Sequence, residues 1–138
     1  MIKGVQPDGR CLFRAIAHGA CLQTGEGVPD EDRQRELADD LRAKVVEELL
    51  KRRKEMEGFI DEDFDLYVER IQKPYVWGGE LEVRMASHVL KNLISVFMKD
   101  QKTNKLTNIS NYGEEYNDKY PINILFHGYG HYELLENY

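Results

Sequence analysis

Pro7-Asp8-Gly9-Arg10-Cys11-Leu12-Phe13-Arg14-Ala15-Ile16 places a cysteine between a turn signal and an apolar pattern of helical spacing. Pro-Asp-Gly favours a turn, and the apolar residues that follow recur with the period of a helix. The stretch therefore predicts a helix that begins at Cys11. Free N–H groups and the positive dipole of a helix N-terminus favour a thiolate and can stabilise an oxyanion. A cysteine without a nearby base is more often a small buried hydrophobe, so a catalytic role needs a partner.

A histidine near the other end of the chain is the candidate partner. Residues 122–126 form a mostly apolar run typical of a buried strand, and residues 131–135 are predicted to be its hairpin neighbour across a glycine-containing turn. Residues two apart on a strand share a face, so the Glu133 carboxylate could reach the His131 imidazole and fix its tautomer. A cysteine, a histidine and an orienting acid are the parts of a cysteine protease.

Three blocks of the chain resemble one known family. Residues 8–16, 77–82 and 131–133 are similar, in this order, to the signature blocks of the ovarian tumour (OTU) family of cysteine proteases. The resemblance runs over nearly the whole chain. It implies a papain-like fold and a thiol-dependent deubiquitinase, which hydrolyses the isopeptide or peptide bond after the C-terminal glycine of ubiquitin or a ubiquitin-like protein.

The resemblance also implies roles for individual residues. Cys11 matches the nucleophile, His131 the general base, and Asp8 a residue whose loop helps to form the oxyanion hole. Glu133 stands where the family usually has Asp or Asn, and its side chain is one methylene longer. The expected oxyanion donors are backbone N–H groups in the turn and at the helix start: Asp8, Gly9, Arg10 and Cys11.

Glycines beside Trp77 and before the histidine have two interpretations. Gly78, Gly79 and Gly130 carry no Cβ, so backbone could approach a ligand closely, as a narrow channel for a Gly-Gly tail would require. Alternatively, Gly78-Gly79 starts a helix, and Gly128 with Gly130 permits a hairpin turn. The residues alone leave both open, and the resemblance favours a channel. The resemblance gives Trp77 a structural or channel-lining role, so the candidate channel residues are Trp77, Gly78, Gly79 and Gly130, although a tryptophan is more often a core residue.

Composition is typical of one compact domain. The 138 residues are 41% hydrophobic and 32% charged. This composition predicts a single domain over residues 1–138, which could also be an excised part of a longer chain. A net charge of -6 disfavours nucleic acid and anionic membranes as partners. It suits the basic tail of ubiquitin or polyubiquitin, the partner that the resemblance implies. We expect a monomer without cofactor or metal.

Cysteine usage indicates a reducing compartment. Cys21 is ten residues beyond Cys11 on the predicted helix, roughly 15 Å away, whereas a disulfide needs Cα atoms within about 7 Å. The sequence lacks both an apolar run of about 18 residues and a signal-peptide pattern. We therefore expect a cytoplasmic protein, although a preceding extension could redirect it.

The segments between the candidate cysteine, Cys11, and the candidate histidine, His131, predict helices followed by strands. The fold class is α+β, with a small, mostly central mixed sheet packed between helices. The predicted helices run from Pro29 to about Glu57, from Asp61 to before Pro74, and over Glu80 to Leu90; the strands cover Leu93 to Met98 and Leu106 to Ile109.

Three other interpretations remain open. A metal site could combine His127 and His131 with Cys11, but zinc sites usually need three or four ligands and no further Cys or His has suitable spacing. An inactive ubiquitin-binding module would be expected to lack the cysteine or the histidine. A cysteine protease of ordinary peptides would keep both, and reactivity toward a ubiquitin electrophile distinguishes it.

Overall fold

A computed structural model describes residues 2–3, 9–116, 120–127 and 131–135 of the chain. Within these ranges the helices and strands follow the predicted order. The helices are α1 (Cys11–Gln23), α2 (Glu31–Lys51), α3 (Arg53–Met56), α4 (Phe64–Ile71) and α5 (Glu80–Leu90). The strands are β1 (Ile2–Lys3), β2 (Ile94–Lys99), β3 (Leu106–Tyr112), β4 (Ile122–Phe126) and β5 (Tyr132–Leu135).

The long second helix ends earlier than predicted. It stops at Lys51 rather than near Glu57, and the one-turn helix α3 follows after a break at Arg52. Beyond the break, the Arg53 guanidinium lies 4.7 Å from the centre of the Phe64 ring. Met56 is buried on the same short helix. We attribute the break to these tertiary contacts, because the sequence has neither glycine nor proline there.

The sheet of the described residues has five strands in the order β1-β5-β4-β2-β3. Strands β2 and β4 are parallel, with Ile94 opposite Ile122, and the other neighbours are antiparallel. Strand β1 pairs Ile2 with Leu135 and was not predicted. Strand β3 continues to Tyr112, beyond the predicted end at Ile109. The sheet is therefore mixed, and its parallel pair requires a crossover.

The main core lies between the helices and one face of the sheet. Helix α1 packs on β4 and β5, while α5 contacts β3. A smaller cluster, formed by Phe97, Leu125 and Leu135 with Leu106, lies on the alternate residues of the strands. The α+β class is confirmed. Because α1 contacts β5, the packing brings the cysteine helix onto the strand that follows the histidine.

No helix in the described ranges combines the length and apolar character that crossing a membrane would require.

Candidate active site

The turn before Cys11 is fixed by close backbone packing. Cys11 is the first residue of α1 and is buried. A Cβ atom on Gly9 would lie 2.4 Å from the carbonyl carbon of Tyr75, so only glycine fits against this neighbouring segment. Arg10 donates from Nε to Asp39 Oδ1 on α2 at 2.8 Å. The predicted helix start is confirmed, and two different segments hold the turn that precedes it.

One buried arginine joins this turn to a distant loop. Arg42 of α2 is only 4% exposed, and its guanidinium lies 4.4 Å from the centre of the Phe13 ring on α1. Its N–H groups donate to four backbone carbonyl oxygens: Ile71 at 2.7 Å, Gly9 at 2.8 Å, Val76 at 2.9 Å and Pro74 at 3.3 Å. Arg42 therefore ties the nucleophile turn, helix α1 and residues 71–76 into one unit.

A buried carboxylate holds the turn that follows Trp77. Glu82 of α5 accepts a hydrogen bond from the Gly79 N–H at 2.7 Å and another from the Tyr67 hydroxyl. Burial raises the pKa of Glu82, and its hydrogen bonds and the charge of Arg42 oppose this rise. Burial likewise raises the pKa of Tyr67. The buried Glu82 side chain thus fixes the position of Gly79. Gly79 is the N-cap of α5, which agrees with the interpretation that the glycine pair starts a helix.

The Trp77-Gly78 segment bridges the cysteine helix and the histidine. A Cβ on Gly78 would lie 2.8 Å from the Leu12 Cδ2 atom and 3.2 Å from the Phe13 ring. Trp77 is 40% exposed, so it is not the core residue that its residue type favoured, and its channel-lining role stays a prediction. Its ring meets the His131 ring edge-on, with 6.5 Å between centroids. The indole is held at the surface beside the imidazole because the neighbouring glycine packs against α1.

The histidine is placed by the predicted β4–β5 hairpin. The strands are antiparallel, and the His127 N–H donates to the His131 carbonyl oxygen at 2.9 Å. His131 Nε2 lies 3.3 Å from Glu133 Oε1, which confirms the predicted contact. Nδ1 of His131 is buried and has no hydrogen-bond partner within the described residues. A carboxylate at Nε2 favours the tautomer with its proton there, so the Nδ1 lone pair is available to accept a proton.

Glu133 has a second histidine neighbour. His127 Nε2 lies 3.3 Å from the same Oε1 atom, and the His127 and His131 rings stack with centroids 5.3 Å apart. The sequence suggested His127 only as a metal ligand, together with His131 and Cys11. The structure places it against Glu133 instead.

An electrostatic interaction connects Cys11 with Tyr132, the residue that follows His131. Burial, together with smaller electrostatic interactions with Tyr112 and Cys11, raises the pKa of Tyr132 to about 12. The Cys11 thiol therefore lies within electrostatic reach of the Tyr132 hydroxyl. Together with the α1–β5 packing and the Trp77 bridge, this brings the start of α1 and the start of β5 to one region of the surface.

A groove runs beside this region. It has a volume of about 330 Å³ and is lined by the glycine pair, α5 and four strands: Gly78, Gly79, Glu80, Val83, Val96, Ile109, Ser110, Tyr112, Phe126 and Tyr132. The predicted channel residues Gly78 and Gly79 are therefore at a concave surface. Asp8 and Gly130 lie outside the described residues, so their assignments to the oxyanion loop and the channel stay predictions.

Sequence reasoning missed the residues that hold the site from inside. For Glu82 a signal existed, because a glutamate three residues after the Gly79 N-cap can accept the N-cap N–H, which is the glutamate half of a capping box. For Arg42 the signal was its spacing, since Ala38, Arg42 and Val46 follow one another at four-residue intervals along the buried stripe of α2. A charged residue on an apolar stripe indicates a buried partner.

Comparisons with known proteins agree with this geometry. The sequence model of "OTU-like cysteine protease" matches residues 6–132. The chain is 54% identical over 134 residues to "OVARIAN TUMOR DOMAIN-containing deubiquitinating enzyme 4" of Arabidopsis thaliana, covering 97% of this chain and 42% of that protein. It thus spans less than half the length of this relative.

Solved structures give the same family. "Structure of Ovarian Tumor (OTU) domain in complex with Ubiquitin" is 28% identical, with a TM-score of 0.68 over 96% of this chain and 67% of that one. "Structure of OTUD1 OTU domain" has a TM-score of 0.76 at 19% identity, over 96% of this chain and 83% of that one, and indicates the fold alone.

Proposed function

Because the chain belongs to the OTU-like cysteine protease family, we propose that it is the catalytic domain of a thiol-dependent deubiquitinase. Its substrate is the isopeptide or peptide bond after the C-terminal glycine of ubiquitin or of a ubiquitin-like protein. One observation carries the proposal: His131 is oriented through Nε2 by Glu133, while its buried Nδ1 has no partner within the described residues. An imidazole in this state is ready to act as a base.

In the acylation step, His131 Nδ1 takes the proton of the Cys11 thiol. The Cys11 sulfur then forms a bond to the carbonyl carbon of the substrate's C-terminal glycine. The tetrahedral intermediate collapses when the bond to the lysine nitrogen breaks and the imidazolium gives its proton to the leaving amine. Glu133 stabilises the imidazolium between these two transfers.

The oxyanion of the intermediate binds to backbone N–H groups at the start of α1 and in the preceding turn. Helix N-termini leave such groups without intrahelical partners, and one well-placed donor contributes roughly 3–4 kcal/mol to transition-state stabilisation. Arg42 and the close packing of Gly9 hold this turn. Water, activated by His131, then hydrolyses the thioester and releases the C-terminal carboxylate.

The groove beside Gly78 and Gly79 receives the substrate tail. A tail that ends in Gly-Gly has no side chains at the last two positions and can lie close to the backbone at Gly79, where a Cβ atom would meet nothing nearer than 3.8 Å. Trp77 stands at the surface between this segment and His131. A similar solved structure is an OTU domain in complex with ubiquitin, which supports ubiquitin as the substrate.

The proposed compartment is reducing, as in the cytoplasm. Cys11 and Cys21 are both buried and are not joined to each other by a disulfide, and the proposed chemistry needs an unoxidised thiol. Differential alkylation of the protein as it is extracted from cells would test this, since a disulfide or oxidised Cys11 in the resting protein would contradict it.

The decisive experiment uses ubiquitin with a thiol-reactive C-terminal electrophile. We expect a covalent adduct on a denaturing gel with the wild-type protein and with Cys21→Ala, and none with Cys11→Ala. Cys21 is a suitable control because burial raises the pKa of its thiol and keeps it protonated.

Two results would change the assignment. If Cys11 reacts rapidly with a small alkylating agent but not with the ubiquitin probe, the substrate is not ubiquitin. Probes made from ubiquitin-like proteins are then the next test, and failure of these as well would identify a cysteine protease of other substrates. If Cys11 reacts with neither, the chain is not an enzyme of this type, and binding of unmodified ubiquitin would then identify a non-catalytic module.

A further inference from the structure

We propose that His127, His131 and Glu133 form a binding site for a divalent transition-metal ion such as Zn²⁺, and that the bound ion switches off the base. Ligand atoms of these three side chains all lie within 4.8 Å of one another. Imidazole nitrogens with a carboxylate oxygen suit Zn²⁺, whereas Mg²⁺ and Ca²⁺ prefer oxygen ligands alone. Glu133 supplies the third ligand that the sequence pattern lacked.

The distances agree with tetrahedral coordination. Both histidine Nε2 atoms lie 3.3 Å from the same oxygen, Glu133 Oε1. Two ligands of a tetrahedral Zn²⁺, each bonded at about 2.0–2.1 Å, are about 3.3 Å apart. The two imidazole ligand atoms lie within 4.8 Å of each other, so an ion can replace the hydrogen-bonding proton once the two rings bring these nitrogens to tetrahedral spacing. A fourth position remains for water.

Backbone pairing preorganises the site. The hydrogen bond from the His127 N–H to the His131 carbonyl oxygen places the two histidines opposite each other at the end of the hairpin. Their rings are within 25° of parallel. The His127 side chain is 40% exposed and the other two are 19% exposed, so an ion can enter from solvent.

Metal binding would inhibit the proposed reaction, and this part of the inference rests on the proposed function. An ion on Nε2 of His131 displaces the proton from that nitrogen. The neutral imidazole then carries its single proton on Nδ1, which can no longer accept the thiol proton. The ion also removes Glu133 from its role of stabilising the imidazolium. Inhibition therefore comes from the histidine side and needs no bond between the metal and Cys11.

The first test measures binding without catalysis. Zn²⁺ alone is titrated calorimetrically into metal-free Cys11→Ala protein, and we expect one ion per chain. Adding His127→Ala should weaken the affinity by about tenfold or more, because one of three ligands is lost. Adding His88→Ala is the matched control, since this histidine lies on α5 and contacts Tyr116 instead, and it should leave the affinity unchanged. A Cys11→Ala protein that binds no Zn²⁺, or that binds it equally after His127→Ala, would overturn the site.

The second test measures, for each variant, the Zn²⁺ concentration that halves that variant's own cleavage activity. We expect the Zn²⁺ concentration that halves ubiquitin-substrate cleavage to rise at least about tenfold in His127→Ala compared with wild type and His88→Ala. An equal response in all three would place the inhibitory ion elsewhere and overturn the inhibition mechanism. A protein without any cleavage activity contradicts the proposed function, while the calorimetric result still decides the metal site.

Discussion

The two halves of the candidate site are built differently. The cysteine side lies on α1 and is held by buried groups from other segments, with Arg42 donating to carbonyl oxygens of Gly9, Pro74 and Val76. The histidine side lies on one hairpin, and its polar side chains are 19–40% exposed. The difference fits the chemistry. An oxyanion hole needs donors in fixed positions, whereas a base must exchange protons with substrate and water.

Removing Arg42 should have the largest effect, because this side chain holds the cysteine side of the candidate site in place. Arg42→Ala leaves several buried carbonyl oxygens without their donor, and we expect a loss of about 3–5 kcal/mol in the free energy of unfolding. Displacement of the turn before Cys11 should also lower kcat by about 100-fold in the folded fraction. Urea denaturation and steady-state cleavage measure the two effects.

Two further variants make the Arg42 experiment specific. Arg70→Ala removes an arginine paired with Glu62 at an exposed position, and should change stability far less than Arg42→Ala does. Arg42→Lys keeps the charge without the planar fork and should recover part of both stability and kcat. Equal losses for Arg42→Ala and Arg70→Ala would contradict the positioning role.

Removing the carboxylate tests the histidine side. Glu133→Ala should lower kcat by about 100-fold, because His131 loses the group that orients it and stabilises the imidazolium. Stability should change by only about 1 kcal/mol, since the side chain is partly exposed. Glu133→Gln keeps an acceptor oxygen and should be the more active variant. The contrast between the two sides fails if Glu133→Ala unfolds the domain as readily as Arg42→Ala does.

Alanine substitutions at Gly78 and Gly79 should have smaller effects, and each variant serves as a control for the other. Gly78→Ala introduces a Cβ 2.8 Å from Leu12 and should destabilise the fold by about 2 kcal/mol. Gly79→Ala meets no atom closer than 3.8 Å and should cost less than about 1 kcal/mol. If Gly79 lines the substrate groove, its alanine variant should raise KM while its melting temperature stays nearly constant. Similar melting temperatures for both variants would contradict the close packing of Gly78 on α1.

The smallest expected effect is a pH dependence that originates at Glu82. Its pKa is raised in the folded protein, chiefly by burial, so the folded state holds this proton at pH values where the unfolded state has released it. The resulting stabilisation is present below the ordinary carboxyl pKa and is lost as pH rises through the folded pKa. Wild type should therefore gain stability relative to Glu82→Gln when the pH falls from 7 to 5. Urea denaturation at both pH values measures this, and a relative loss would have the wrong sign.

The sequence predicted those parts of the fold that local signals determine. Helix α5 and strand β4 have the predicted bounds, because Gly79 precedes the helix and Pro121 precedes the strand. The pairing of His131 with Glu133 followed from strand periodicity. These elements needed no knowledge of distant contacts.

The remainder depends on partners far along the chain. The end of α2 at Lys51 coincides with contacts that Arg53 makes to Phe64, and β1 exists only because it pairs with β5. Arg42 finds acceptors 29 to 34 residues away. No local pattern can show which carbonyl oxygens will meet a given guanidinium, so the support of the cysteine side was visible only in three dimensions.

The position of β5 between β1 and β4 has a consequence for biosynthesis. Cys11 and His131 are 120 residues apart, so a ribosome adding about 5–20 residues per second makes the thiol roughly 6–24 s before the histidine. Strand β5 is the last strand of the described sheet to be synthesised, and it pairs with both β1 and β4. The candidate site and the complete sheet therefore form at the same stage. If Cys11 and His131 act as proposed, a nascent chain on the ribosome carries the nucleophile without its base until β5 has been synthesised.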